Sequence, residues 1–116
     1  MQRFTEIKAW QRSHALVLDV YRLSAEFPRE ERYGITSQLR RADVSVPTNI
    51  AEGAKRMSGA DYARFLNIAE ASLAETEYLL MLSRDLGLPG DVEPLLNEIP
   101  QVSKMLNALR TAVERA

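Results

Sequence analysis

Apolar residues along the chain recur every third or fourth position, the period of a helix face packed on a neighbour. In the first segment, from about Thr5 to Glu26, Ile7, Trp10, His14, Val17, Tyr21 and Ser24 fall at spacings of 3, 4, 3, 4 and 3. Leu16, Val20, Leu23 and Phe27 add a second stripe beside it. A helix with so wide an apolar side needs two neighbours. The second segment, from about Arg29 to Ala54, carries Ile35, Leu39, Ala42, Val46 and Ile50 on one face. Pro47 interrupts its hydrogen bonding and presses on the Asp43 carbonyl. Because Ile50 resumes the stripe, one kinked helix is expected, with a break at Val46 as the alternative.

The third segment opens at Ser58, placed to cap the amides of the next turn. Tyr62, Phe65, Leu66, Ala69, Leu73, Leu80 and Leu86 trace its face, and Gly87 with Pro89 ends it. That makes a helix of about 29 residues. The fourth segment begins near Asp91, a candidate cap, with Pro94 in the first turn, where a missing amide costs least. Leu95, Ile99, Val102, Leu106, Leu109 and Val113 form a heptad-like stripe, with a second kink expected at Pro100. The Gly and Pro clusters separate four segments with short connections and no strand-like alternation. The expectation is a single all-α domain over residues 1–116, an antiparallel up-down-up-down four-helix bundle with helices two and four kinked at proline.

Tyr78, Leu79, Leu80, Met81 and Leu82 are five successive apolar residues, which at 100° per residue encircle the helix. A bundle core covers only part of that circumference. Tyr78, Leu79, Met81 and Leu82 are therefore expected at a subunit interface of a homo-oligomer. The other reading is a third helix buried between two partners within one chain.

Composition narrows the chemistry. Of 116 residues, 15 are Lys or Arg and 16 Asp or Glu, and cysteine is absent. Disulfides, thiolate metal sites and cysteine nucleophiles are excluded. No Walker A loop, GxGxxG or HExxH occurs, and the one histidine, His14, is expected as a packed or hydrogen-bonded core residue. No catalytic residue, metal or cofactor is expected. Without a membrane-length apolar run, a cytoplasmic protein is expected, with no membrane partner and no small-molecule substrate. Glu70, Glu75 and Glu77 are read as a solvated face or as ion pairs with neighbouring helices.

Arg40-Arg41 and Lys55-Arg56 are basic doublets 15 residues apart, and Arg64 joins the second group. Residues 1–57 carry 10 basic and 7 acidic groups, whereas residues 58–116 carry 5 and 9. The doublets are candidate phosphate contacts. The competing structural reading pairs Glu52 with Arg56 and lets Lys55 and Arg56 complement the end of the second helix. Ser45, Asn49 and Glu52 share one polar face beside Pro47, read as a network that fixes the kink and register, with a ligand pocket as the alternative.

A set of residues runs through this region: Phe4, Trp10, Phe27-Pro28, Glu31, Tyr33, Gly34, Gln38-Leu39-Arg40-Arg41-Ala42, Ser45-Val46-Pro47 and Asn49-Ile50-Ala51-Glu52-Gly53. Tyr62, Phe65-Leu66, Ala69, Ser72-Leu73 and Glu75 follow. Over residues 4–88 the sequence resembles the bacterial four-helix-bundle proteins encoded in intervening sequences of 23S ribosomal RNA genes. The resemblance implies a homopentamer of antiparallel bundles without enzymatic activity. Related accessory proteins of diversity-generating retroelements form similar pentamers, bind nucleic acid and assist a reverse transcriptase. The resemblance makes Arg40, Arg41, Lys55 and Arg56 candidate nucleic-acid contacts, and Pro47, Asn49, Glu52 and Gly53 signature positions. A homo-oligomer that associates with RNA or DNA is the first reading, and a protein-interaction scaffold without nucleic-acid contact is the alternative.

Overall fold

The computed structural model describes residues 3–115. Four helices make up almost all of it: α1 (Lys8–Ser24), α2 (Ile35–Gly53), α3 (Gly59–Asp85) and α4 (Glu93–Arg115), with short 3-10 turns at Phe4–Glu6 and Arg29–Glu31. No strand occurs among the described residues. α1 packs on α2 and α4, and α3 packs on α2 and α4, in a body of 46 × 23 × 20 Å.

The helix boundaries have local causes. Ser58 Oγ accepts the Asp61 amide at 3.1 Å and starts α3. At the other end Gly87 adopts a left-handed φ of +73°. The Leu88 amide then reaches the Ser83 carbonyl and the Gly87 amide the Arg84 carbonyl, both at 3.0 Å. This closes α3 in a Schellman arrangement that a side chain at Gly87 would strain. Asp91 Oδ1 accepts the Glu93 amide at 3.1 Å and starts α4. α2 runs from Ile35 to Gly53 without interruption at Pro47, and α4 likewise passes through Pro100.

Leu39, Val46, Ile50, Leu66, Leu80, Val102 and Leu106 are fully buried, and with them the α2 and α4 stripes lie in the core as their spacing implies. α1 differs. Its buried residues are Ala9, Ser13, Leu16, Val17, Val20, Leu23 and Ser24, so the second stripe lies wholly inside while the first is split between core and surface. Tyr21 is exposed, Trp10 is half-buried, and His14 faces solvent, stacked on the Trp10 indole at 4.9 Å. The expectation of a core histidine is corrected here. Two stripes whose centres lie about 120° apart compete on α1, and the inner one leaves the imidazole outside.

α3 also departs from its expected pattern. Leu79 is only 2% exposed and Leu80 is fully buried, while Leu82 is half-buried against the core. Of the four interface candidates, Tyr78 (59%) and Met81 (39%) are exposed. Leu79 is corrected to a core residue because α3 is clasped from two sides, by α2 and α4. Leu86 lies at the helix end, exposed.

Candidate nucleic-acid interface

α2 presents Arg40 and Arg41 and also passes through the core, so each side chain's fate depends on its position around the helix, while Lys55 and Arg56 lie in the connection just beyond it. Arg40 is half-buried. Its Nε donates to Ser24 Oγ at 2.8 Å, its Nη2 to the Tyr21 carbonyl at 3.4 Å, and its guanidinium lies 4.4 Å from the Tyr21 ring centroid. Ser24 in turn donates to the Val20 carbonyl at 2.6 Å. Every acceptor in this chain is neutral, so the Arg40 charge stays uncancelled while its side chain is held in place. Arg41, one residue on, is exposed.

At the far end of α2, Lys55 and Arg56 are exposed. Arg56 does not pair with Glu52. Its guanidinium lies 4.6 Å from the Phe65 centroid, with the Arg64 guanidinium 5.6 Å from the same ring. Cation–π contact with an aromatic replaces the expected helical ion pair. The structure thus joins Arg56 and Arg64, while Arg40 and Arg41 stay a separate group at the opposite end of α2. Arg64 alone of the five has a carboxylate, Asp61 at 2.8 Å. Arg40, Arg41, Lys55 and Arg56 have no ion pair among the described residues.

The signature positions divide by role. Asn49 Nδ2 donates to Ser45 O at 2.8 Å and Ser45 Oγ at 3.0 Å, and Ser72 Oγ donates to Ser45 Oγ at 2.8 Å. This polar link ties α2 to α3 beside Pro47, which is buried. Glu52 is exposed and makes none of these bonds. Gly53 has a steric reason: a Cβ there would come within 2.9 Å of Phe65 Cβ and Tyr62 Cδ1. Glu70 joins α3 to α4 through Arg110 at 2.6 Å, one of the ion pairs expected for the acidic residues of that helix.

One residue of α2 stands out that its sequence context hides. Asp43 is fully buried, and neither carboxylate oxygen has a hydrogen-bond partner. Burial pushes its carboxyl up to about 7. The charge of Asp19 adds to that shift. Thr76 donates to the Ser72 carbonyl at 2.9 Å. The usable signal was positional: Leu39, Asp43, Val46 and Ile50 share the 4, 3, 4 spacing of the core stripe.

Among the described residues, no group of three or more His, Cys, Asp or Glu side chains is arranged to hold a metal ion. None of the described helices is long and apolar enough to cross a membrane.

These features define an all-helical protein with one core, whose second helix carries uncompensated arginine on its outside and an unpaired carboxyl within. The chain belongs to the 23S rRNA-intervening sequence protein family, whose model matches residues 5–108. It is also similar to a crystal structure from Bacteroides thetaiotaomicron VPI-5482, described as a protein with unknown function from the S23 ribosomal protein family. That likeness has a TM-score of 0.78 at 25% identity and covers 89% of this chain and 95% of the other. No curated protein gives a significant match.

Proposed function

We propose that the chain is a non-enzymatic bundle that assembles with copies of itself and associates with structured RNA through the outer face of α2. The carrying observation is charge accounting. Arg40, Arg41, Lys55 and Arg56 lack carboxylate partners, as do Arg29 and Arg32 just before α2 and the scattered Lys8 and Lys104, whereas Arg12, Arg22, Arg64, Arg84 and Arg110 all have one. Cations left unpaired on a nearly neutral chain are available to phosphates, and repetition in an assembly would multiply their field. The family's description, which ties these proteins to a ribosomal RNA intervening sequence, favours RNA as the polyanion.

Assembly is supported by the exposed apolar side chains Ile68, Tyr78 and Met81 on α3. The pentamer and a cytoplasmic setting remain part of this reading, as does an up-down-up-down course with bends at Pro47 and Pro100. Contacts between α1 and α2 support that course. Arg40, early in α2, meets Ser24 at the end of α1, and Trp10, early in α1, shares a groove with Ala51 near the end of α2.

A mobility-shift titration on a structured RNA tests the reading. Binding should weaken steeply with salt and drop when Arg41→Glu is combined with Lys55→Glu. Absence of any shift at low salt would sink it. Light scattering tests the assembly: Tyr78→Lys with Met81→Lys should give smaller, still helical particles. A scaffold without RNA contact is the alternative, favoured by the same α3 side chains.

A further inference from the structure

The end of the bundle where α1 finishes and α2 begins holds two adjoining grooves of about 400 and 390 Å³. Tyr33, Ser37 and Arg41 line both and form the ridge between them. The two grooves differ in chemistry. The first is walled by Arg32, Arg40 and Arg41, with Tyr21 and Val44 behind, and no carboxylate lines it. None of the three arginines has an ion pair among the described residues. Of the nearby acids, Asp19 holds Arg22 at 3.1 Å, Glu31 Oε1 accepts the Ile35 amide at 3.4 Å, and Asp43 is buried in the core behind the groove rather than lining it. Thr36 also lines this groove. It is 8% exposed, and its hydroxyl has no hydrogen-bond partner. Three unpaired guanidiniums and a buried hydroxyl without a partner suit a phosphate group.

The second groove is mixed in character. Gln38 and Ser45 on α2 and Ser72 and Glu75 on α3 line it. Glu75 repels a phosphate, but its carboxylate accepts hydrogen bonds from exocyclic amino groups, and Gln38 offers both a donor and an acceptor. On the ridge, Tyr33 is 87% exposed. The Arg32 guanidinium lies 5.4 Å from its ring centroid. A large aromatic this open is poorly explained by folding, since it buries almost nothing. It is well placed as a stacking surface for a base, with a cation beside it.

We propose that the paired grooves take one unpaired nucleotide of an RNA strand. Its phosphate lies among Arg32, Arg40 and Arg41, and its base stacks on Tyr33 with an edge toward Gln38 and Glu75. The inference rests on the RNA reading above and narrows it. A base can reach Tyr33 only if it is free of a duplex, so loops, bulges and single strands are the targets at this end. Lys55 and Arg56, at the other end of α2, contribute attraction that does not distinguish strand state. Arg40 is held over Tyr21 before any ligand arrives, which lowers the ordering cost of binding.

Fluorescence anisotropy with a labelled, unstructured 12-nucleotide RNA and with the same strand annealed to its complement tests the proposal. Wild type is expected to favour the single strand. Tyr33→Ala and Arg41→Gln should each weaken single-strand binding about tenfold and affect the duplex less. Tyr33→Phe should retain affinity, and Thr36→Val should weaken the single strand alone. Lys55→Gln with Arg56→Gln should weaken both forms alike. Because Tyr33 is exposed, circular dichroism melts should be unchanged for its variants. Photocrosslinking from 4-thiouridine in the single strand should map to the peptide containing Tyr33. If Tyr33→Ala binds the single strand as wild type does, or loses both forms equally, the nucleotide site is overturned while RNA association stands. If wild type binds neither RNA, both readings fall.

Discussion

α2 treats its arginines differently from Arg64, Arg84 and Arg110 of the α3–α4 pair. On α3 and α4, Arg64, Arg84 and Arg110 each hold a carboxylate, and Arg110 also reaches Asn67 and Asn107. Those guanidiniums are spent on joining helices and trimming their surfaces. Between Arg29 and Arg56 no cation has an ion pair among the described residues, and the arginines with recorded contacts sit on aromatic rings: Arg32 on Tyr33, Arg40 on Tyr21 and Arg56 on Phe65. A ring positions a guanidinium without cancelling its charge. The contrast shows that local order and local neutrality are separable, and that α2 has the first without the second.

The sharpest way to break the α3–α4 side is steric. A Cβ on Gly59 would run into the Val113 carbonyl. Gly59→Leu should cost about 3 kcal/mol or more, read as a large fall in Tm, because backbone cannot step aside as a flexible side chain can. On the α2 side, Asp43→Asn probes the buried carboxyl. The folded-state value of about 7 lies above the ordinary 3.8, so the folded protein holds this proton more tightly than the unfolded chain. Below about pH 3.8 the group is neutral in both states and costs nothing extra. From there to about pH 7 stability should fall with pH, by an amount on the order of 4 kcal/mol, and then level off. Tm measured from pH 4.5 to 8 should show that decline in wild type and a flatter profile in Asp43→Asn.

A smaller effect is expected from Arg41→Glu with Lys55→Glu: a loss of RNA affinity of about tenfold at low salt, with Tm nearly unchanged. The mirror experiment is Arg110→Gln. It should lower stability by about 1 kcal/mol and leave RNA binding untouched. Equal RNA losses from the two would erase the distinction between the regions.

Periodicity captured most of the helical framework because its causes are local or nearly so. Ser58 caps α3, Gly87 closes it, and the Ile35–Ile50 and Leu95–Leu106 stripes lie inside. What periodicity could not resolve was choice among equals. α1 offers two stripes, and only its neighbours decide that Leu16 and Val20 turn inward while His14 turns out. The run from Tyr78 to Leu82 surrounds α3, and only the positions of α2 and α4 decide that Leu79 is buried and Tyr78 is not. The candidate site was legible as basic doublets. Its division into Arg40 over Tyr21 and Arg56 over Phe65 was not, because a cation–π contact between residues 19 or 9 apart leaves no mark in spacing. Asp43 lay in plain view on the Leu39–Ile50 stripe, but a charged letter reads as surface until its neighbours are known.

The contact between Gly59 and Val113 brings two points 54 positions apart in the chain side by side. The last turn of α4 therefore lies close to Lys55 and Arg56. A purification handle fused behind that helix would hang over the cationic tip, and a polyhistidine or acidic tag there would distort the very measurement it was meant to enable. Handles for binding assays belong on a removable linker.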